Sequence, residues 1–279
     1  MKYCLKWNNI SQCLNDADEI SIKYIEDKGL VDFMNKYAGK RIIIRLESTD
    51  FKDSEIAKLT AIRNSLDFDF TVGLPTQDMK LANKLKAKDI PFYFLTPVKD
   101  WETLNFYITE VGVSDIDISG PLGFDLPKVT NFLARYAPDT IIRATPNALS
   151  SLHDTCPPLQ KFFIRPNDID LYEQYIDVLE FEGIEHQDTF YKIYSQEKIF
   201  IGKLSQVIYD FPLPIDNMGL ITAFSERRLD CGRQCLYGGR CKRCMTLSQI
   251  SEKMGPYVRE KVKENLQKEL KEKFGEQEN

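Results

Sequence analysis

Arg41-Ile42-Ile43-Ile44-Arg45-Leu46-Glu47 decides the fold. Successive side chains of a strand point to opposite faces. As a strand, this stretch puts Arg41, Arg45 and Glu47 on one face and Ile42, Ile44 and Leu46 on the other. Val113–Ser119 reads the same way, with Asp115, Asp117 and Ser119 opposite Ile116 and Ile118. Six more short runs rich in β-branched or aromatic residues end in polar, Pro or Gly punctuation. They are Ile20–Ile25, Asp69–Leu74, Pro91–Pro97, Thr140–Thr145, Lys161–Pro166 and Val178–Glu182.

The segments between these runs suit helices. Ser54–Leu59, Met79–Leu85 and Val129–Ala134 each lie in one, and Asp168–Tyr175 starts with the acidic residues that favour a helix N-terminus. Alternation of strands with helices predicts a parallel sheet. Eight βα units make a (β/α)8 TIM-like barrel. A shorter open α/β sheet is the alternative.

The chain has 279 residues, 43% of them hydrophobic, which is enough for one large core. A net charge of −5 argues against a generic nucleic-acid binder. There is no run of 18 apolar residues and no apolar leader at Met1–Trp7, so neither a membrane span nor a secretory signal is expected. The expected compartment is the cytoplasm. Residues 1–208 are assigned to the barrel, 209–250 to a Cys-rich segment and 251–279 to a charged helix. Asp188–Ile208 is expected to be helical and Tyr209–Leu220, with Pro212, Pro214 and Gly219, a loop. In the tail, Val258, Val262, Leu266 and Leu270 form a narrow apolar stripe, expected either to pack on the barrel or to bind a partner.

Four of the seven cysteines fall within Cys231–Cys244, as Cys231, Cys235, Cys241 and Cys244. Their spacing, C-x3-C-x5-C-x2-C, predicts one metal centre. Thiolates select zinc, copper(I) or iron–sulfur clusters. Gly232, Gly238 and Gly239 allow tight turns, and Arg233, Arg240, Lys242 and Arg243 offset thiolate charge. Structural zinc favours two close pairs joined by a longer spacer, whereas compact spacing suits iron–sulfur ligation. Spacing alone leaves a 4Fe–4S cluster and Zn2+ both open.

The outer face of a barrel packs on helices and must be apolar, so the polar faces point inward. Such charges would form either a salt-bridged plug or a ligand pocket at the C-terminal strand ends. Arg143 and Arg165, read as lying on adjacent strands, would suit a carboxylate or phosphate. Arg45, Glu47, Asp117, Glu180 and Glu182 complete the candidate site. His186 follows the last strand as a possible acid/base. No G-x-G-x-x-G, P-loop, G-x-S-x-G or H-E-x-x-H motif occurs.

Val113–Leu149 and Lys161–Gly183 resemble the collagenase-like peptidase family. That resemblance implies an α/β barrel with Arg165, Glu180 and Glu182 lining the site. It also implies a four-cysteine 4Fe–4S cluster and oxygen-independent hydroxylation of RNA bases or quinone precursors; other members are peptidases. Three functions follow. The first is a metal-containing enzyme acting on a small anionic or nucleobase-like substrate. The second is a zinc-braced scaffold whose basic rim (Arg227, Arg228, Arg233, Arg240, Lys242, Arg243) contacts RNA or DNA. The third is a peptide hydrolase. Oligomeric state is not legible in the sequence.

Overall fold

The computed structural model describes residues 1–8, 11–24, 29–46, 51–65, 70–75, 77–149, 161–209, 211, 215–220, 226, 228–229, 231 and 243–274. Eight parallel strands form one sheet: β1 (Lys2–Lys6), β2 (Glu19–Lys23), β3 (Arg41–Arg45), β4 (Phe70–Leu74), β5 (Phe92–Phe94), β6 (Asp115–Asp117), β7 (Ile141–Ala144) and β8 (Val178–Glu180). β1 pairs with both β2 and β8, so the first and last strands are neighbours. The gap between β5 and β6 is closed by Ser114 N–H donating to Phe92 O at 2.9 Å and Val98 N–H to Asp117 O at 2.7 Å. The chain is a (β/α)8 barrel.

Five helices connect consecutive strands from β2 onward: α1 (Gly29–Lys36), α2 (Asp53–Ser65), α3 (Met79–Lys86), α4 (Trp101–Phe106) and α5 (Leu126–Tyr136). The short α6 (Ile169–Tyr172) precedes β8, and α7 (Gln187–Tyr191) follows it. Asp side chains start two of them: Asp78 accepts from Leu81 N–H at 3.0 Å, and Asp100 from Thr103 N–H at 2.8 Å. These satisfy helix donors that have no partner within the helix. The layer between wall and helices is apolar, with Leu5, Ile20, Ile42, Ile44, Val72, Ile116 and Leu179 all buried.

The strand count of eight holds, but its membership changes. Lys2–Lys6, absent from the eight expected strands, is β1 at the centre of the sheet order. Lys161–Pro166 is not a strand, because β7 and β8 pair directly and leave it no place in the wall. Side chains use its carbonyls instead: Tyr194 Oη donates to Ile164 O at 2.8 Å and Arg228 Nη1 to Phe163 O at 3.1 Å. Asp188–Ile208 is only partly helical. α7 runs on into a wide turn at Lys192–Glu197 and stops at Lys198, whose φ is +52°.

The tail helix is longer than expected: α8 (Arg243–Phe274) spans 32 residues. Its first half docks on the turn Asn217–Gly219. Ser251 is fully buried there, and a Cβ on Gly219 would lie 3.0 Å from Gly255 Cα. Arg259 Nη1 pairs with Asp216 at 2.8 Å. Farther along, Val258 and Val262 are partly covered and Leu266 is exposed; the Leu270 side chain lies outside the described residues.

Candidate functional site at the C-terminal mouth of the barrel

The polar faces of the strands do meet inside, and they form layers. At the N-terminal end, Glu19, Arg41, Asp115 and Arg143 make a closed ion network. Arg41 holds Asp115 with two bonds of 2.8 Å and reaches Glu19 at 3.4 Å. Arg143 gives Nε to Asp115 at 2.6 Å and Nη2 to Glu19. Burial works to raise the Asp115 carboxyl, but Arg143 and Arg41 outweigh it and hold its pKa below the usual carboxylate range. Above this layer, Cys4, Ile43, Tyr93 and Val178 pack together. Burial, reinforced by Glu180, pushes the Cys4 thiol up and keeps it protonated.

The next layer is polar again and borders a small inner well of about 30 Å³. Its walls include Arg45, Tyr93, Asp117, Arg143, Thr145 and Glu180. Arg45 pairs with Glu180 at 3.1 Å. Asp117 Oδ1 accepts from Ser119 N–H at 2.7 Å and from the Ser119 hydroxyl, which itself accepts from Thr145 N–H at 2.6 Å. Burial pushes the Asp117 carboxyl up to about 6, against the pull of the Ser119 bonds. A carboxyl in that range exchanges protons near neutral pH.

The well shares Arg45, Leu95 and Glu182 with a wider cleft of about 920 Å³ at the C-terminal strand ends. Trp7, Tyr24 and Tyr209 give it aromatic surface, and Lys6, Lys23 and Glu182 give it charge. Trp7 is braced edge-on by Phe33 at 5.6 Å and Tyr24 by Phe51 at 4.9 Å. Gly73 lets Leu95 into this region, since a Cβ there would lie 2.7 Å from Leu95 Cδ2.

Of the residues expected from the sequence, Arg45, Asp117, Arg143, Glu180 and Glu182 come together around the well. The expected pairing of Arg143 with Arg165 on an anion does not form. Arg143 is held by Glu19 and Asp115, and Arg165 by Asp168 at 2.6 and 2.8 Å. Arg165 also donates to the carbonyls of Asn217 and Leu220, which ties the turn under α8 to the barrel. Arg165 is therefore a buried anchor. Glu182 is paired with Lys6 at 2.7 Å. Arg228 leaves the expected basic rim. It is buried and lies over the rings of Phe163 and Phe124, at 4.2 and 4.9 Å. His186 is exposed beside Phe190. Glu47, Cys235, Cys241, Arg227, Arg233, Arg240 and Lys242 lie outside the described residues. Cys231 and Cys244 are described, and both are half-buried against the core. Among the described residues, no group of three or more His, Cys, Asp or Glu side chains is placed to hold a metal ion. No described helix is long and apolar enough to cross a membrane.

Lys6, Trp7 and Tyr93 were missed. The first two fell with the unread strand β1. Tyr93 was legible, because in Phe92-Tyr93-Phe94 the middle residue must face away from its apolar neighbours.

No protein-family model matches this chain, and no curated protein matches it. Among solved structures it is similar to a GH18 chitinase from Pseudoalteromonas aurantia. The identity is 9%, the match covers 71% of this chain and all of the other (100%), and the TM-score is 0.40. The site is therefore read from its own geometry.

Proposed function

We propose that the C-terminal mouth is the active site of a barrel enzyme acting on a small nucleobase-like ring, with Asp117 as the group that holds and moves a proton. One observation carries this reading: a carboxyl with a pKa of about 6 at the end of β6, in a well that opens into an aromatic-walled cleft. Perturbed carboxyls in clefts mark functional sites, and barrel enzymes work at this face. The paired charges Lys6–Glu182 and Arg45–Glu180 favour a neutral polar ring over the small anion expected from Arg143 and Arg165. In the same reading Cys231, Cys235, Cys241 and Cys244 hold a 4Fe–4S cluster, as their compact spacing and the family resemblance suggest. Such a cluster would take up, one at a time, the two electrons released when a ring C–H becomes C–OH with water as the oxygen source, and would pass them to an external electron acceptor. Zn2+ in its place would leave the barrel an acid/base enzyme or a scaffold.

Two measurements test the reading. The chain has two tryptophans, and Trp101 sits on the outer helix α4. In a Trp101→Phe background, fluorescence therefore reports Trp7 alone. Nucleobases and nucleosides are titrated against it. Saturable quenching that is lost in Tyr24→Ala is expected, and no response to any of them would sink the cleft reading. Metal analysis after anaerobic purification should find about four irons per chain and absorption near 400 nm. One zinc and no iron would remove the redox chemistry.

A further inference from the structure

Two donors in the inner well have nothing to donate to among the described residues. Arg143 Nη1 and Tyr93 Oη are buried and have no hydrogen-bond partner there, and both residues line the well. The other nitrogens of Arg143 are engaged, Nε by Asp115 and Nη2 by Glu19. Arg143 also lies over the Tyr93 ring at 5.1 Å, but a π face is a weaker acceptor than an oxygen. A buried unpaired donor is costly, more so when charged, and native proteins keep few of them. Two in one small well point to an occupant that accepts from both.

Size and charge narrow the occupant. A water needs roughly 10–15 Å³ of such space, so about 30 Å³ admits one or two oxygen atoms and not a whole ligand. The rest of any larger ligand must project into the adjoining cleft. Arg41, Arg143 and Arg45 stand in and below the well against Glu19, Asp115, Asp117 and Glu180. Carboxylates thus outnumber cations by one, which opposes another anion. A carbonyl oxygen fits: it is neutral and offers two lone pairs.

We propose that the well is an oxygen-binding subsite that takes the carbonyl oxygen of a neutral ring ligand onto Tyr93 Oη–H and Arg143 Nη1–H. The assignment rests on the reading of the cleft as the place where the ring lies. It makes the site select lactams and amides over rings without a carbonyl and over carboxylates. A ring with no oxygen here leaves both donors unpaired, and a carboxylate meets Asp117 and Glu180.

Crystals of the full chain soaked separately with acetamide, sodium acetate, uracil and pyrimidine test this directly. Acetamide and uracil should each place a carbonyl oxygen within about 3.2 Å of both donors, and acetate should not enter. In solution, Tyr93→Phe should weaken uracil binding by about 5- to 10-fold, the effect of one lost hydrogen bond, and leave the weaker binding of pyrimidine unchanged. Acetamide in the well with no uracil in the cleft would uphold the subsite and refute the proposed function. A well holding only water in all four soaks would overturn the subsite. So would acetate bound as readily as acetamide, or uracil affinity unmoved by Tyr93→Phe. Where that variant does not fold, the wild-type soaks decide alone.

Discussion

Replacing Asp117 with Asn should stabilise this protein at neutral pH and leave it unchanged in acid. The Asp117 carboxyl is pushed from 3.8 to about 6 by burial, with Glu180 adding to it and Ser119 and Arg143 opposing. The folded protein therefore holds this proton more tightly than the unfolded chain does. Below pH 3.8 the group is protonated in both states and contributes nothing either way. As pH rises from about 4 to about 6, the unfolded chain releases its proton first, and stability falls. Above about pH 6 the penalty is fully present. From 3.8 to about 6, at about 1.4 kcal/mol per pH unit, it is on the order of 2–3 kcal/mol for this half-buried group. Asn is neutral at every pH, and its carbonyl can still accept from Ser119 N–H. Urea unfolding of both proteins at pH 4, 5, 6, 7 and 8, at one ionic strength, measures the difference. The Asn variant should gain over wild type between pH 4 and 6 and keep that gain to pH 8. A flat difference would refute the reasoning. So would a variant that is less stable at pH 7, which would mean that Arg143 and Arg45 favour the ionised form.

Asp115→Asn should behave in the opposite sense, because its carboxyl is held low: wild type should be more stable by about 3–5 kcal/mol at pH 7, the cost of breaking a buried pair. That advantage should shrink as pH falls below the unfolded value of 3.8, and the same unfolding series reads it. Arg165→Ala should also lose about 3–5 kcal/mol by removing one partner of the buried Arg165–Asp168 ion pair. It should speed amide exchange in the docked half of α8 and leave uracil affinity unaltered; a loss of affinity alone would return Arg165 to the site. Gly73→Ala should cost about 1–3 kcal/mol by overpacking against the end of Leu95. Leu95 borders both cavities, so ligand affinity should change with it, and Gly73→Ala/Leu95→Ala should recover part of the lost stability.

The fold was legible where strands have long β-branched centres, as in Ile42-Ile43-Ile44. It was not legible in Lys2-Tyr3-Cys4-Leu5-Lys6, although that run has the same design as Arg41–Arg45: charged ends, an apolar middle and alternate residues facing in. Its middle, Tyr3-Cys4-Leu5, has no β-branched residue, so the strand signal carried by Ile42-Ile43-Ile44 is missing. Lys161–Pro166 erred the other way. Phe162, Phe163 and Ile164 are as buried as any strand centre, yet what buries them is packing outside the wall. Apolar runs report burial, and only pairing partners decide strand membership. The facing of Asp115, Asp117, Arg143 and Glu180 into the barrel followed from alternation alone. Their distribution between layers did not, because it depends on register, such as Asp117 beside Arg143 and Arg143 beside Val178.

That register puts Arg143 both in the salt-bridged layer and in the lining of the well. Glu19 and Asp115 grip two of its nitrogens from below. A guanidinium is planar, so fixing Nε and Nη2 fixes where Nη1 lies. The ion network thereby positions a donor at the floor of the well and keeps it from turning away. The network is costly to assemble in a barrel interior that branched apolar side chains would normally fill. Under the proposed carbonyl subsite, a rigidly held donor is one reason to retain it, since preorganised dipoles need no rearrangement when a ligand oxygen arrives. Lysine in place of Arg143 would keep the charge and lose this geometry, because a flexible ammonium between Glu19 and Asp115 has no third arm held toward the well.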